Sequence, residues 1–170
     1  ESNKNRSHIL LANIHPELQY SVISQNQNSD AVIVVDTMNL WIETTLPILE
    51  KVLLSSNILL INESESFQLT NENNIKNAAK SLLKMGPEIV VIKKGSRGAE
   101  LFSLKEHIEV GAYPVKNVVD PTGAGDAFAG AFTASLADEE SNETALLQAS
   151  ASASISIESF GVEKLQNATS

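Results

Sequence analysis

Short runs of apolar residues alternate along the chain with stretches whose apolar positions recur at helical spacing. His8-Ile-Leu-Leu-Ala12 is the first run. A helix is predicted from about Pro16, carrying Leu18 and Val22, and Gln25 to Ser29 reads as a loop. Ala31 to Asp36 is apolar throughout until its final carboxylate, the pattern of a parallel strand buried on both faces. Leu40 to Leu54 has helical spacing with Pro47 inside it. Proline removes a backbone donor, so a kink or break is expected there. Asn57 to Asn62 is the third strand, and Asn73 to Met85 is an amphipathic helix ended by Gly86-Pro87. Ile89 to Lys93 is the fourth strand. The rhythm then shortens: Gly98 to Pro114 predicts a β-hairpin around Lys105-Glu106, and Asn117 to Asp120 a short apolar lead-in. Two helices rich in Ala and Ser follow, from about Gly123 to Ala137 and from about Glu143 to Ser159. The alternation predicts an α/β layer fold, a mostly parallel sheet flanked by helices, in a single domain over residues 1–170.

Composition narrows the partners. With 42% hydrophobic but only 5% aromatic residues, the core is expected to be Leu, Ile, Val and Ala. A formal net charge of −9 argues against a broad nucleic-acid surface and against binding to an anionic membrane, and no apolar run approaches a membrane span. Cys is absent, which excludes disulfides and thiolate metal sites. The polar start, Glu1 to Ser7, lacks both the form of a signal peptide and an initiator Met. A cytoplasmic enzyme is the expectation, with a fragment of a longer protein left open.

The candidate chemistry is densest at Val119-Val-Asp-Pro-Thr-Gly-Ala-Gly-Asp-Ala-Phe-Ala-Gly130. Three small residues, Gly123, Ala124 and Gly125, lie between the Thr122 hydroxyl and the Asp126 carboxylate and lead into a helix. Backbone N–H groups at a helix start have no partner within the helix and so form an anion site. A carboxylate beside a resting phosphate is repelled by it. It suits a group that takes the proton from a hydroxyl attacking that phosphate. A dinucleotide fingerprint fails here because Phe128 stands where its third glycine is needed, and no Gly-Lys-Ser or Gly-Lys-Thr closes a Walker-type loop. A plain tight turn accounts for the glycines but not for Asp120, Thr122 and Asp126 together.

This stretch resembles the C-terminal signature of the PfkB, or ribokinase-like, carbohydrate kinases. The resemblance implies that Asp126 is the catalytic base and that the amides of Gly123, Ala124 and Gly125 form an anion hole. It implies ATP and Mg²⁺ as cofactors and a small sugar or nucleoside as acceptor. It also implies a homodimer in the full-length parent, and a K⁺ site to which Asp120 and Thr122 contribute. Two further motifs occur in the family's order. Asn62-Glu63-Ser64-Glu65 follows the third strand; it resembles the family's Asn-x-x-Glu, whose Glu supports Mg²⁺. Asn62 and Ser64 are equally able to cap a helix with Glu65 in its first turn. Lys93-Lys94-Gly95-Ser96-Arg97-Gly98 resembles the nucleotide loop; Lys94, Gly95, Ser96 and Gly98 are expected on ATP phosphates, with Lys94 preferred over Lys93 because it adjoins the glycine. Ser150 and the Phe160-Gly161 turn fall where the family builds an adenine pocket and a cation loop.

The remaining candidates are weaker. Asp36 either approaches a ligand at its strand end or caps the next helix, and Asn39 shares that motif. Trp41 is expected to pack, and His8, His15 and His107 match no metal spacing. The resemblance covers nearly all of the 170 residues but only the C-terminal part of the family pattern. The family's N-terminal Gly-Gly motif and β lid, which help hold the sugar, are not found, and Ser159 to Leu165 is similar to PfkB-type sugar kinases of prokaryotes. The expected function is ATP-dependent phosphorylation of a sugar hydroxyl. The alternatives are a nucleoside kinase of the same fold and a non-catalytic nucleotide-binding module.

Overall fold

The computed structural model describes residues 7–26, 30–161 and 165–166. The described residues form two compact units. The first comprises residues up to Lys94 together with Glu100–Ile108; the second comprises Gly95–Ala99 and the residues from Glu109 on.

In the first unit, β1 (His8–Leu11), β2 (Val32–Asp36), β3 (Ile58–Asn62) and β4 (Ile89–Lys93) lie side by side and parallel. The sheet continues in order through β5 (Ala99–Ser103) and β6 (His107–Val110), the expected hairpin. Val35, Leu59 and Val90 are in register and therefore share a face. That face packs on residues of α2 (Asn39–Thr44), α3 (Leu46–Leu54) and α5 (Ile75–Leu83), with Leu49, Leu53, Ala79 and Leu82 fully buried. The alternate residues Val34, Leu60 and Val91 are also fully buried, which is why these strands read as continuous apolar runs. Emptying one such position, as in Leu59→Ala, costs about 2–5 kcal/mol.

Local chemistry sets the element ends. α1 (Pro16–Gln25) begins with proline at its first position, and the His15 ring accepts from the Glu17 N–H. Gln25 belongs to α1 rather than to the expected loop; Gln27, Asn28 and Ser29 of that loop lie outside the described residues. The single helix expected over Leu40–Leu54 is two helices broken at Thr45. Pro47 falls in the first turn of the second, where its missing N–H costs nothing. Asn62 caps α4 (Glu63–Thr70) and Asn74 caps α5.

The second unit is built on α6 (Ala124–Ala137) packed against α7 (Asn142–Ser156). Phe128, Ala129 and Phe132 are buried on α6, and Ala145, Leu146, Ala149 and Ser150 on α7; the small residues let the backbones approach. The apolar lead-in over Asn117 to Asp120 is not a strand. The N–H groups of Val119 and Asp120 both donate to the carbonyl of Ile157, at 2.7 and 3.2 Å, instead of to a neighbouring strand. Of Ser159 to Leu165, residues 162–164 lie outside the described residues.

Candidate functional site

The candidate residues form two groups, one in each unit. In the first unit they gather where β2, β3 and β4 end, the side of an open parallel sheet on which ligands bind. Asn62 closes β3, and its side chain accepts from the Glu65 N–H at 2.8 Å. Glu65 returns the bond through its carboxylate to the Asn62 N–H at 3.0 Å. The cap therefore forms, and it fixes Glu65 with 7% of its surface exposed. Burial pushes the Glu65 carboxyl above its ordinary value; the Asn62 N–H and the Lys93 charge pull the other way, and the Asp36 charge adds to the rise. A carboxylate held at such a cost suits a cation placed beside it.

Asp36 ends β2 and does not cap the following helix, whose capping position is Met38. Its oxygens receive the Lys93 ammonium at 2.9 and 3.2 Å, and it also accepts from the Thr37 N–H. Asp36, Glu65 and Lys93 thus make one charge cluster with two carboxylates and one ammonium. Mg²⁺ keeps most of its waters and takes one or two carboxylates, so this donor set fits it. Among the described residues no group of three His, Cys, Asp or Glu is arranged to hold a metal alone.

Lys94, preferred over Lys93 on sequence, is held by a partner inside the protein. Its ammonium is buried and lies 2.8 Å from Glu100, whose second oxygen is 2.9 Å from Nε2 of His107. Burial by itself raises the Glu100 carboxyl, but the bonds from Lys94 and His107 outweigh it and hold the group below its ordinary value. Neighbouring strand residues point to opposite faces, so Lys93 meets Asp36 while Lys94 turns into the protein. His107 is therefore structural, as is Trp41, whose indole N–H donates to Asn13 at 2.8 Å.

In the second unit, Gly95–Arg97 makes one 3₁₀ turn, closed by the Gly98 N–H on the Gly95 carbonyl at 3.0 Å. Gly98 has φ +89°, and a Cβ there would lie 2.0 Å from the Val110 carbonyl oxygen. Gly95 has φ +60° and open space around it. Ser96 is exposed on this turn.

Gly123, at φ +81°, occupies the position before α6, and no side chain caps that helix. The Ala124 N–H donates to the Pro121 carbonyl at 3.4 Å, and the next amides of α6 meet no side-chain cap. Asp126 lies in the first turn and is exposed. Upstream, Asp120 accepts from the Thr122 N–H at 2.9 Å, and hydrogen bonding from Thr122 holds its carboxyl below the ordinary value. Ser150 is buried and donates to the Gly111 carbonyl at 3.0 Å. No described helix is long and apolar enough to cross a membrane.

The first unit thus holds a strand-end charge cluster, and the second a glycine turn and a helix start without a side-chain cap, preceded by Asp-Pro-Thr-Gly. The chain belongs to the pfkB family of carbohydrate kinases, which it matches over residues 6–168. It is 36% identical to a ribokinase of Arabidopsis thaliana over 121 residues, 68% of this chain and 32% of that protein. It is 40% identical to a cytidine kinase of Thermococcus kodakarensis over 79 residues, 45% of this chain and 28% of that one. The fold is ribokinase-like. A putative ribokinase II from E. coli superposes with a TM-score of 0.81 at 25% identity, covering 91% of this chain and 53% of that one. The Arabidopsis thaliana ribokinase complexed with ribose and ATP gives 0.78 at 29% identity, covering 91% and 51%. The chain thus spans about half the length of these solved relatives and a third of the Arabidopsis sequence.

Proposed function

We propose that the chain carries the nucleotide-binding and catalytic part of an ATP-dependent kinase that phosphorylates a hydroxyl of a sugar or sugar-like molecule. The observation that carries this reading is the start of α6: an uncapped helix N-terminus opened by Gly123 in the left-handed conformation, with a carboxylate, Asp126, in its first turn. Asp126 accepts the proton of the acceptor hydroxyl as that oxygen attacks the γ-phosphorus and the bond to the ADP oxygen breaks. The amides of Gly123, Ala124 and Gly125 stabilise the negative charge on the transferring group. Preorganised donors of this kind are worth about 3–4 kcal/mol each in the transition state.

The relatives support ATP and Mg²⁺: one solved E. coli ribokinase II is in complex with both. Glu65, with Asp36 beside it, would hold Mg²⁺, which when bound neutralises phosphate charge. Asn62, Gly95, Ser96 and Gly98 serve the nucleotide, and the geometry favours Lys93 over Lys94 as the lysine for its phosphates. Ser150 belongs to the adenine side, and Asp120 and Thr122 to a K⁺ loop. A nucleoside acceptor is the second reading, favoured by the identity to a cytidine kinase.

Calorimetry with Mg·ATP and a coupled ADP assay over a panel of sugars and nucleosides test the proposal. Binding of Mg·ATP, weakened in Gly95→Val without loss of fold, is expected. A folded chain with no affinity for Mg·ATP would overturn it.

A further inference from the structure

Outside the residues assigned above to ATP or the acceptor, α5 and the turn of the β5–β6 hairpin border an open groove of about 380 Å³. Lys76 and Lys80, one helical turn apart on α5, line it together with Lys105 of the hairpin turn. None of these three ammonium groups makes an ion pair with a described residue. Glu106 is the only carboxylate on the lining, so the groove is net positive on a chain whose formal charge is −9. Lysines at i and i+4 repel along a helix, and a bound anion relieves that repulsion.

The groove also has an apolar wall. Leu83 and Phe102 line it, and the His107 ring stacks on Phe102 with centroids 4.3 Å apart. Glu100 fixes that ring through Nε2, while no described residue bonds its Nδ1. Cations, an apolar surface and an unengaged ring nitrogen therefore converge in one concave place, the composition of a small-molecule site.

We propose that this groove binds an organic anion in which a phosphate or similar group is joined to a flat apolar ring. The lysines pair with the anionic group, and Leu83 and the exposed Leu104 of the lining take the ring out of water. The site is independent of the kinase reading, since none of its lining residues is assigned to ATP or to the acceptor.

Titration of 1-naphthyl phosphate into the 170-residue chain tests it by calorimetry, in the presence and absence of saturating Mg·ATP. One saturable binding event that survives Mg·ATP is expected. Lys80→Glu with Lys105→Glu should weaken it by about tenfold or more. Both lysines are exposed, so melting is expected to be unchanged, and Lys80→Ala with Lys105→Ala should give an intermediate affinity. Inorganic phosphate and 1-naphthol should each bind at least about tenfold more weakly than the joined molecule. Absence of saturable binding, displacement by Mg·ATP, unchanged affinity in the charge-reversed variant, or equal affinity for either half of the probe would overturn the proposal. A chain that fails to bind Mg·ATP leaves these outcomes unaltered, so the two readings fail separately.

Discussion

Gly95→Ala and Gly98→Ala should fail differently although the two glycines share one turn. A Cβ on Gly98 would lie 2.0 Å from Val110 O, 2.6 Å from Gly111 C and 2.8 Å from Ala112 N. These are backbone atoms and cannot swing aside. The positive φ of +89° adds strain of its own. Left-handed backbone costs about 1–2 kcal/mol for a residue with a Cβ. Overpacking adds about 1–3 kcal/mol. The sum, about 2–5 kcal/mol, is a large part of a total stability of about 5–15 kcal/mol. At roughly 2–4 °C per kcal/mol for a chain of this size, the Tm should fall by about 4–20 °C. Gly95 has φ +60° but nothing within 4 Å of an added Cβ. Its substitution carries only the conformational cost, about 1–2 kcal/mol. The open space around Gly95 is where a phosphate is proposed to approach, so that variant should lose nucleotide affinity out of proportion to its stability. Circular-dichroism melts and urea unfolding of both variants, with Mg·ATP titrations, make the comparison. The reasoning is refuted if Gly98→Ala lies within about 0.5 kcal/mol of wild type, the range of an ordinary surface change.

Five further variants probe the charged groups. The raised Glu65 carboxyl contributes stability that is fully present below its unfolded value of 4.5 and is lost as pH rises through its higher folded value. Glu65→Gln keeps an acceptor for the Asn62 N–H; in urea unfolding it should be at least as stable as wild type at neutral pH and lose that advantage below pH 4.5. Glu100 has the opposite sign: its contribution is present above 4.5 and is lost as pH falls through its lowered folded value. Glu100→Leu removes a carboxylate partner of the buried Lys94 ammonium and should cost about 3–5 kcal/mol, read from the same unfolding curves at neutral pH. Lys93→Met should weaken Mg·ATP binding by about tenfold or more, while Lys93→Arg retains it. Lys94→Met should lower the Tm instead, and calorimetry beside melting shows which lysine does which.

Much of this was legible in the sequence because periodicity reports burial. Ala31–Val35 and Ile58–Ile61 are apolar at every position since both sheet faces are covered, and the runs predict two parallel strands in nearly the right bounds. Capping chemistry was also local enough to read at Asn62, Glu65 and Pro16. Pairings between distant residues were not legible. Lys93 with Asp36, and Lys94 with the Glu100 that also holds His107, depend on which way each lysine turns at the end of β4, and two adjacent lysines carry no signal for that. The apolar Val118-Val119 pair suggested a strand, but its backbone groups are bonded at the end of α7, a partner that no local pattern announces. The acceptor is the least legible feature, because a phosphate loop reads charge rather than the identity of the hydroxyl that attacks it.

The most direct test of the account is kcat for Asp126→Asn in the enzyme that carries these residues, assayed by ADP release with its best acceptor. Loss of a positioned base should lower kcat by about 10²–10⁴-fold. Affinity for Mg·ATP should hold or rise slightly, because a negative charge near the γ-phosphate is gone. Asp120→Asn should be milder, since that residue supports the loop through the Thr122 N–H. A near-normal kcat in Asp126→Asn, with fold and Mg·ATP binding intact, would contradict the proposed mechanism.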